Sequence, residues 1–388
     1  MSPPSSIFRI ALVGLVSLAL AMGIGRFAFT PLLPMMREDG LVSITDGGLL
    51  ASVHFLGYWL GAVIAAKIPC PPRTMLRLSL LAIGVGTLGM GVTDDFTVWL
   101  ILRWLSGVCS AWTLVLVGNY YLKHLADKGR AEYQGWVFSG VGAGIMIAGL
   151  GSLAFMVNQI GSSLSWRIMG AISLIAICAV CLNMGPEIPA VRPVVRHRGS
   201  QRSPLDWRIV IAYGAAGIGY IIPATYLPVM AREIVQSPLI FGWSWPVFGA
   251  AACVSTLLAA RFQKRFSNRQ IWAASHVVMA IGLLLPVLHP HILTIITAGL
   301  CVGGTFMIIT MTGMKEAHRM APPGDVMRHI AVMTASFATG QMIGPVFASS
   351  VYDLTQSFAV SLIITSAILV ITAMILVGAS TEKEVAQL

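Results

Sequence analysis

Charge is scarce in this chain: only 10% of its 388 residues are Asp, Glu, Lys or Arg, against about 25% in a soluble globular protein. Acidic side chains are scarcer than basic ones, 15 against 25, and none falls in the middle of an apolar run. Buried-carboxylate chemistry is therefore absent from the mid-span positions a proton or cation relay uses. Metal chemistry finds no support either. There is no H-E-x-x-H pattern or histidine cluster, and most of the six cysteines lie inside apolar runs, as small hydrophobes do. Cys178 and Cys181 form a C-x-x-C, but no second ligand pair flanks them. The expectation is a protein without metal or cofactor.

What fills the chain instead is hydrophobic sequence, 56% of all residues. A hydrocarbon core of about 30 Å requires about 20 apolar residues per helix. Such runs occur near 8–36, 45–66, 74–93, 96–119, 131–156, 166–184, 207–231, 240–260, 270–288, 291–314, 329–352 and 357–378. This predicts an all-α integral membrane protein of twelve transmembrane helices with no sizeable soluble domain. The first run follows Arg9 as a signal peptide would, yet it continues to Met36 and reads as a retained span.

The stretch 185–206 differs from the short turns elsewhere, with Arg192, Arg196, His197, Arg198 and Arg202 among prolines and serines. It reads as a basic cytoplasmic linker between an N-terminal six-helix bundle, 1–184, and a C-terminal one, 207–388. Lys and Arg in alternate connections set the orientation. Twenty of the 25 fall on one side, from Arg9 through Lys67, Arg73 and Arg77 to Lys383, and only Arg37, Arg167 and Arg232 on the other. The bias predicts a bacterial cytoplasmic (inner) membrane protein with both termini in the cytoplasm. It also accounts for the net charge of +10 without a nucleic-acid partner; the partners expected are the lipid bilayer and a small-molecule substrate.

The halves repeat. Gly23-Ile24-Gly25 and Leu33-Pro34 recur 194 residues later as Gly217-Ile218-Gly219 and Leu227-Pro228, and Gly140-x-x-x-Gly144 recurs at an offset of 200 as Gly340-x-x-x-Gly344. Constant order and offset point to a duplication, six spans plus six.

Three polar side chains interrupt the first half. Arg26 lies in GIGRFAFTPLLPMM, where Gly23 and Gly25 permit close approach or unwinding, and Pro31 and Pro34 remove backbone donors. A charge at that depth costs at least about 2.5–3.5 kcal/mol, so it normally faces a cavity or a partner. The structural alternative is satisfaction by carbonyls, or snorkelling over about 15 Å. Arg103 and His54 complete the set, and all three fall in one layer roughly 12–15 Å below the outer ends of their spans. A lone histidine is as readily a packing residue, yet His54 is the obvious mid-span group titrating near neutral pH. It is the proton-coupling candidate.

Tyr220 occupies the repeat position of Arg26, with Tyr226, Trp243, Trp245, Phe248 and Gln341 near it. The inferred cavity is basic on one wall and aromatic on the other. Trp99 and Trp272 read as interfacial aromatics. Glu132 and Glu316, at predicted span ends, read as contacts closing helix ends with cytoplasmic Arg and Lys.

GIGRFAFTPLLPMM, Trp166-Arg167 opening the sixth span and the basic central loop together resemble the major facilitator superfamily, within it the YbfB/YjiJ-like branch. The resemblance implies a cavity lined by the first, fourth, seventh and tenth spans, with Arg26 and Arg103 on two of them. Arg103 with Gly107 is similar to the fourth-span arginine motif of the superfamily. Gly140 and Gly144 are like its fifth-span antiporter motif without the proline, and the loop from Lys67 to Arg73 lacks the usual acidic residue. The expected function is secondary transport of a small organic anion by alternating access. Arg26, Arg103, Tyr220, Tyr226 and Gln341 would bind substrate, and Gly23, Gly25, Pro31, Pro34, Gly140, Gly144, Glu132 and Glu316 would serve gating or packing. The alternative is an efflux carrier for amphipathic compounds. An intramembrane enzyme or sensor is disfavoured, because His54 has no carboxylate partner at its depth and no signalling domain fits.

Overall fold

A computed structural model describes residues 4–65, 70–130, 132–184, 204–262, 265–322 and 325–385. The proposed linker lies outside these residues except for 204–206, as do Lys67 and Lys264.

Among the described residues the chain is helical throughout. The first span is interrupted: α1 (Pro4–Leu18) runs into a π-helical segment, Ala19–Arg26, and resumes as α2 (Phe29–Glu38). Proline explains the break. Pro31 lacks the amide that would bond the Phe27 carbonyl, and Pro34 the one for Thr30, so the ladder loosens where Gly23 and Gly25 already weaken it.

The other spans have conventional beginnings. A capping box of Ser43 and Asp46 starts α3 (Ile44–Ile64), and Pro72 opens α4 (Pro72–Gly89). Asp95 caps α5 (Phe96–Leu116), which continues as a π segment, Val117–Leu122, and the short α6 (Lys123–Asp127). Then come α7 (Tyr133–Val157), α8 (Ser162–Asn183) and α9 (Trp207–Ile234), the last capped by Asp206. The short α10 (Pro238–Phe241) precedes α11 (Ser244–Phe262), and a Ser267–Gln270 capping box starts α12 (Asn268–Leu288). The chain closes with α13 (Ile292–Met320), α14 (Val326–Thr355) and α15 (Ala359–Val385).

Twelve spans result. Eleven are long and apolar enough to cross a membrane by that measure alone. The twelfth, α4, is 18 residues long and carries Arg73 and Arg77 in its first turns. The tenth span runs past its expected end at 314 to Met320, because Lys315, Glu316 and Arg319 continue the helix as charged turns.

The repeat is visible in three dimensions. Gly140 and Gly144 of α7 press against the first span, where Cβ atoms would fall 2.2 Å from the Leu15 carbonyl and 2.3 Å from that of Ala19. Gly340 of α14 does the same to α9, 2.3 Å from the Gly214 carbonyl, and Gly344 meets Ile221. Small residues let the backbones approach this closely. The two sides of α7 make different contacts. Gly140 and Gly144 pack within their own half, whereas Gly142 and Gly149 on the opposite side meet Cys253 and Pro246 of α11 across the halves.

Trp99 and Trp272 are not interfacial. Both are fully buried. The Trp99 indole donates to the Met90 and Thr93 carbonyls, and that of Trp272 to His276 Nε2. Helix ends here turn inward to the bundle, so position along the chain misleads.

Candidate solute site between the first and seventh spans

Three pairs of repeat-related residues meet between the halves. Arg26 donates to the Tyr220 hydroxyl at 2.5 Å, Thr30 to the Ala224 carbonyl at 2.5 Å, and Arg232 pairs with Glu38 at 2.7 Å. Each pair is separated by 194 residues, the offset of the sequence repeat, so the pseudo-two-fold axis passes between the first and seventh spans. The pairs are spread over twelve residues of the first span, about 18 Å of helix rise.

Further polar bonds join the halves at the same end: Arg232 to the Pro34 carbonyl at 2.6 Å, and Thr45 to Asp353. Beside them Gly48 sits under Ser349 and the Tyr226 hydroxyl. The halves are thus latched from Arg26 to the end carrying Arg37, Arg167 and Arg232. Beyond the latch a cavity of about 620 Å³ is lined by Glu38, Asp39, Gln159, Arg232 and Gln236, among others.

Arg26 is the centre of the site. It is 4% exposed, and its guanidinium lies over the rings of Phe27, Phe55 and Tyr58 at 4.7–4.9 Å. Its Nε has no hydrogen-bond partner, and no carboxylate pairs with it among the described residues. The ion pairs there, such as Arg130–Glu132, Arg232–Glu38 and Arg269–Glu316, lie at helix ends. Gln341 Nε2 also donates to Tyr220, while its Oε1 is buried without a partner. Tyr220 accepts both bonds and keeps its own proton to give.

Arg103 faces elsewhere. Its three guanidinium nitrogens point at the carbonyls of Leu50, Gly25 and Arg26, at 3.4–3.5 Å, and its plane lies 4.7 Å from the Phe29 ring. Ser106 and Ser110 also donate to the first span, at Gly25 and Ala21. The Ala21, Gly25 and Arg26 carbonyls belong to the π segment. In this conformation Arg103 positions Arg26 by holding its backbone, and its own donors are not offered to a solute.

His54 joins the same cluster. Leu50, His54 and Tyr58 follow at four-residue intervals on one face of α3, with Arg103 bonded to the first and Arg26 over the last. The imidazole is fully buried, edge-on to Phe55 at 5.4 Å, and neither nitrogen makes a hydrogen bond. His276 is the contrast: equally buried, it receives the Trp272 indole and contacts Thr372 at 2.9 Å.

The facing wall is a run of rings. Trp245 stacks on Phe248 (4.6 Å between centroids), Phe248 on Phe306 (5.6 Å), and Phe306 on Tyr220 (5.1 Å). Phe337 covers the other face of Tyr220 at 5.5 Å, and Trp245 reaches Phe27 of the first half at 6.0 Å. The Trp245 Nε1 is buried and unpartnered.

The remaining sequence candidates scatter. Tyr226 is fully buried but gives its hydroxyl to the Pro345 carbonyl at 2.9 Å, one and a half turns beyond Tyr220. Trp243 is 46% exposed and off the ring run. Pro31 and Pro34 shape the break, and Gly23 packs on Gly144 while Gly25 meets Ile83. Glu132 pairs with its neighbour Arg130 at 3.3 Å on the surface, an arrangement worth at most about 1 kcal/mol. Glu316 is buried and pairs with Arg269 and Arg319, both at 2.6 Å, and Arg269 also reaches Asp206. This network joins the ends of α9, α12 and α13 inside the second half. No cluster that could hold a metal occurs among the described residues.

Known proteins agree on the kind of molecule. A family model described as "Uncharacterised MFS-type transporter YbfB" matches residues 18–377. The chain is 23% identical over 366 residues to the "Uncharacterized MFS-type transporter YceJ" of Bacillus subtilis (strain 168), covering 88% of this chain and 89% of that one. Its fold is similar to that of a crystallised mutant of the nucleoside transporter NupG, with a TM-score of 0.73 at 12% identity over 96% of this chain and 99% of that chain.

Proposed function

The chain belongs to the YbfB-type family of major facilitator transporters, and we propose that it moves a small organic anion across the bacterial cytoplasmic membrane by alternating access. That it is a multi-pass membrane transporter rather than an enzyme follows from the family and the fold. The anion is carried by one observation: Arg26 lies on the pseudo-two-fold axis, 4% exposed, with no carboxylate among the described residues paired to it. An uncompensated buried charge is costly, and an anionic solute is what would compensate it.

On this reading the bundles 1–184 and 207–388 rock about the axis, joined by the linker 185–206, with both termini in the cytoplasm as the charge bias indicates. The latch from Arg26 to Glu38–Arg232 closes the outer side, and solute binding exchanges the Tyr220 hydroxyl for an anionic acceptor. Arg103 and the π segment hold Arg26 in place. Gln341 and Tyr220 complete the polar contacts, and Gly142 and Gly149 form the bearing surface between halves. His54, with two free ring nitrogens between the arginines, carries the coupled proton.

A second reading is favoured by the ring run: an efflux carrier for amphipathic compounds, or a neutral ring-bearing solute such as the similar fold of a nucleoside transporter suggests. A thermal-stability screen of the purified protein against a metabolite and drug panel, beside Arg26→Ala, separates the two, because a ligand of the folded state raises its stability by mass action. Anionic hits that vanish in the variant support the proposal. Cationic or neutral hits that survive it replace the proposal with the second reading.

A further inference from the structure

We infer that the seam between α4 and α8 binds an anionic glycerophospholipid at its Arg-bearing end, with the headgroup phosphate held by Arg73 and Arg77. The inference is independent of the solute and of Arg26.

Arg73 and Arg77 stand one turn apart on one face of α4, both half-buried. Like charges at that spacing repel. Each arginine uses a single donor within the protein. The NH2 of Arg73 donates to the Met184 carbonyl at 3.1 Å, and the NH2 of Arg77 to the Cys181 carbonyl at 2.8 Å. Those carbonyls end α8, where main-chain acceptors lack helical partners and carry a partial negative charge. Capping them fixes both side chains but supplies no full counter-charge. Both Nε atoms are buried and unpartnered, whereas the NH1 groups are neither bonded nor buried. No carboxylate among the described residues pairs with either arginine.

The second half shows the same place in the fold with its charge paired internally. Arg269 is the second residue of α12, the ninth span, as Arg73 is the second residue of α4, the third. Arg269 is buried and meets Glu316 at 2.6 Å and Asp206 at 3.4 Å. The first half has two cations there, open donors and no acid, so an anion from outside the fold completes it.

The surroundings make that anion a lipid. Gly84 packs on Leu174 and Ile177 of α8, which closes the seam beyond the arginines. Exposed apolar side chains border it, Leu78, Leu81 and Val85 on α4 and Ile175 and Leu182 on α8. A soluble anion meets the charge alone, whereas a phospholipid also lays its acyl chains on the apolar border. Guanidinium forks match phosphate oxygens, and basic pockets between helices on the cytoplasmic side suit anionic headgroups. With no carboxylate beside the arginines to receive an ammonium group, a net negative headgroup is favoured over a zwitterionic one.

The experiment measures lipid binding to the full-length purified protein by native mass spectrometry. Phosphatidylglycerol and phosphatidylethanolamine of identical acyl chains are titrated, with glycerol 3-phosphate as the soluble probe. An arginine near an anionic headgroup contributes about fivefold, so the wild type should prefer phosphatidylglycerol by about thirtyfold. Arg73→Gln and Arg77→Gln should each reduce the preference to about fivefold, and the double variant should abolish it. Lysine at both positions should retain most of it, because the charge survives. Arg130→Gln, which neutralises an exposed arginine on the same side of the membrane, should leave it unchanged. The single variants decide the matter if the double variant does not fold. An undiminished preference in both overturns the site, and an equal loss in Arg130→Gln overturns it in favour of diffuse surface attraction. Glycerol 3-phosphate displacing phosphatidylglycerol at equal concentration, in a manner that requires both arginines, overturns the lipid in favour of a soluble phosphate.

Discussion

Arg26 and Arg269 are both 3–4% exposed, yet their replacement should have opposite consequences. Around Arg26 the desolvation penalty is several kcal/mol. It is offset by one charge-assisted hydrogen bond, about 1.5–3 kcal/mol, and by three ring faces at 4.7–4.9 Å, about 0.5–2 kcal/mol each. These terms nearly cancel, so Arg26→Gln, which removes the charge and its desolvation penalty together with these contacts, should alter stability by less than about 2 kcal/mol in either direction. Arg269 instead neutralises the buried Glu316 at 2.6 Å and reaches Asp206 at 3.4 Å. Arg269→Gln takes one of two cations from each carboxylate, Glu316 keeping Arg319 and Asp206 keeping Arg208, and should cost about 3 kcal/mol through the two charged contacts it removes. Ligand response runs the other way. An anion at a hundred times its Kd stabilises the wild type by about 2.7 kcal/mol. If Arg26→Gln weakens binding ten- to a hundredfold, the same concentration gives roughly 1.4 to 0.4 kcal/mol, while a folded Arg269→Gln keeps the full increment. Denaturation of both variants with and without the best anion reads all four quantities. An Arg26→Gln protein as unstable as Arg269→Gln, with its ligand increment intact, would show that Arg26 is a structural cation and refute the site.

Three other perturbations have definite outcomes. His54→Gln should flatten the pH dependence of uptake into proteoliposomes, whereas His276→Ala should leave the profile alone and lower stability by about 1–3 kcal/mol, since the Trp272 indole loses its acceptor; a wild-type profile in His54→Gln ends the coupling proposal. Gly23→Ala places a Cβ 2.4 Å from the Gly144 Cα, so the helices must part by about 1 Å at a cost of about 1–3 kcal/mol, read as a lower melting temperature. Gly304→Ala, with nothing within 4 Å, should not lower it. Arg232→Ala frees Glu38 and the Pro34 carbonyl together; a cysteine introduced at Thr30 in a cysteine-free background should then react faster with a membrane-impermeant reagent from outside, and an unchanged rate would remove Arg232 from the latch.

Much of the fold could be read because the bilayer imposes it: twelve apolar runs and a one-sided distribution of Lys and Arg both answer to the same solvent. The repeat was legible in Gly23-Ile24-Gly25 and Gly217-Ile218-Gly219. That repeat mates would touch, as Arg26 does Tyr220 and Glu38 does Arg232, was not, because an offset does not say where the axis lies. The direction of Arg103 was hidden for a related reason. Its partners include main-chain carbonyls beside a helix break, and carbonyls leave no trace in side-chain identity. The two faces of α7 were closer to the surface of the sequence. Gly140 and Gly144 differ by four residues and share one face, whereas Gly142 is about 200° away from Gly140 at 100° per residue. Trp99 and Trp272 mislead because a span end turned toward the bundle looks, in sequence, like one turned toward lipid.

Where the halves agree and where they differ separates architecture from chemistry. Glycine pairs on α7 and α14 press on the first and seventh spans in the same way, and Gly107 lies against His54 as Gly303 lies against Phe248. These matches are backbone contacts, which a rocking fold needs twice. At the axis the symmetry fails in its side chains: Arg26 faces Tyr220, and His54 in one half corresponds to Phe248 in the other. A strictly symmetric site would put two arginines or two tyrosines across the axis, either doubling an uncompensated charge or abolishing it. The asymmetry leaves one buried cation against a wall of rings. Polarity of this kind cannot come from duplication, so the residues that depart from the repeat are where substitutions should change selectivity, and those that obey it are where they should change stability.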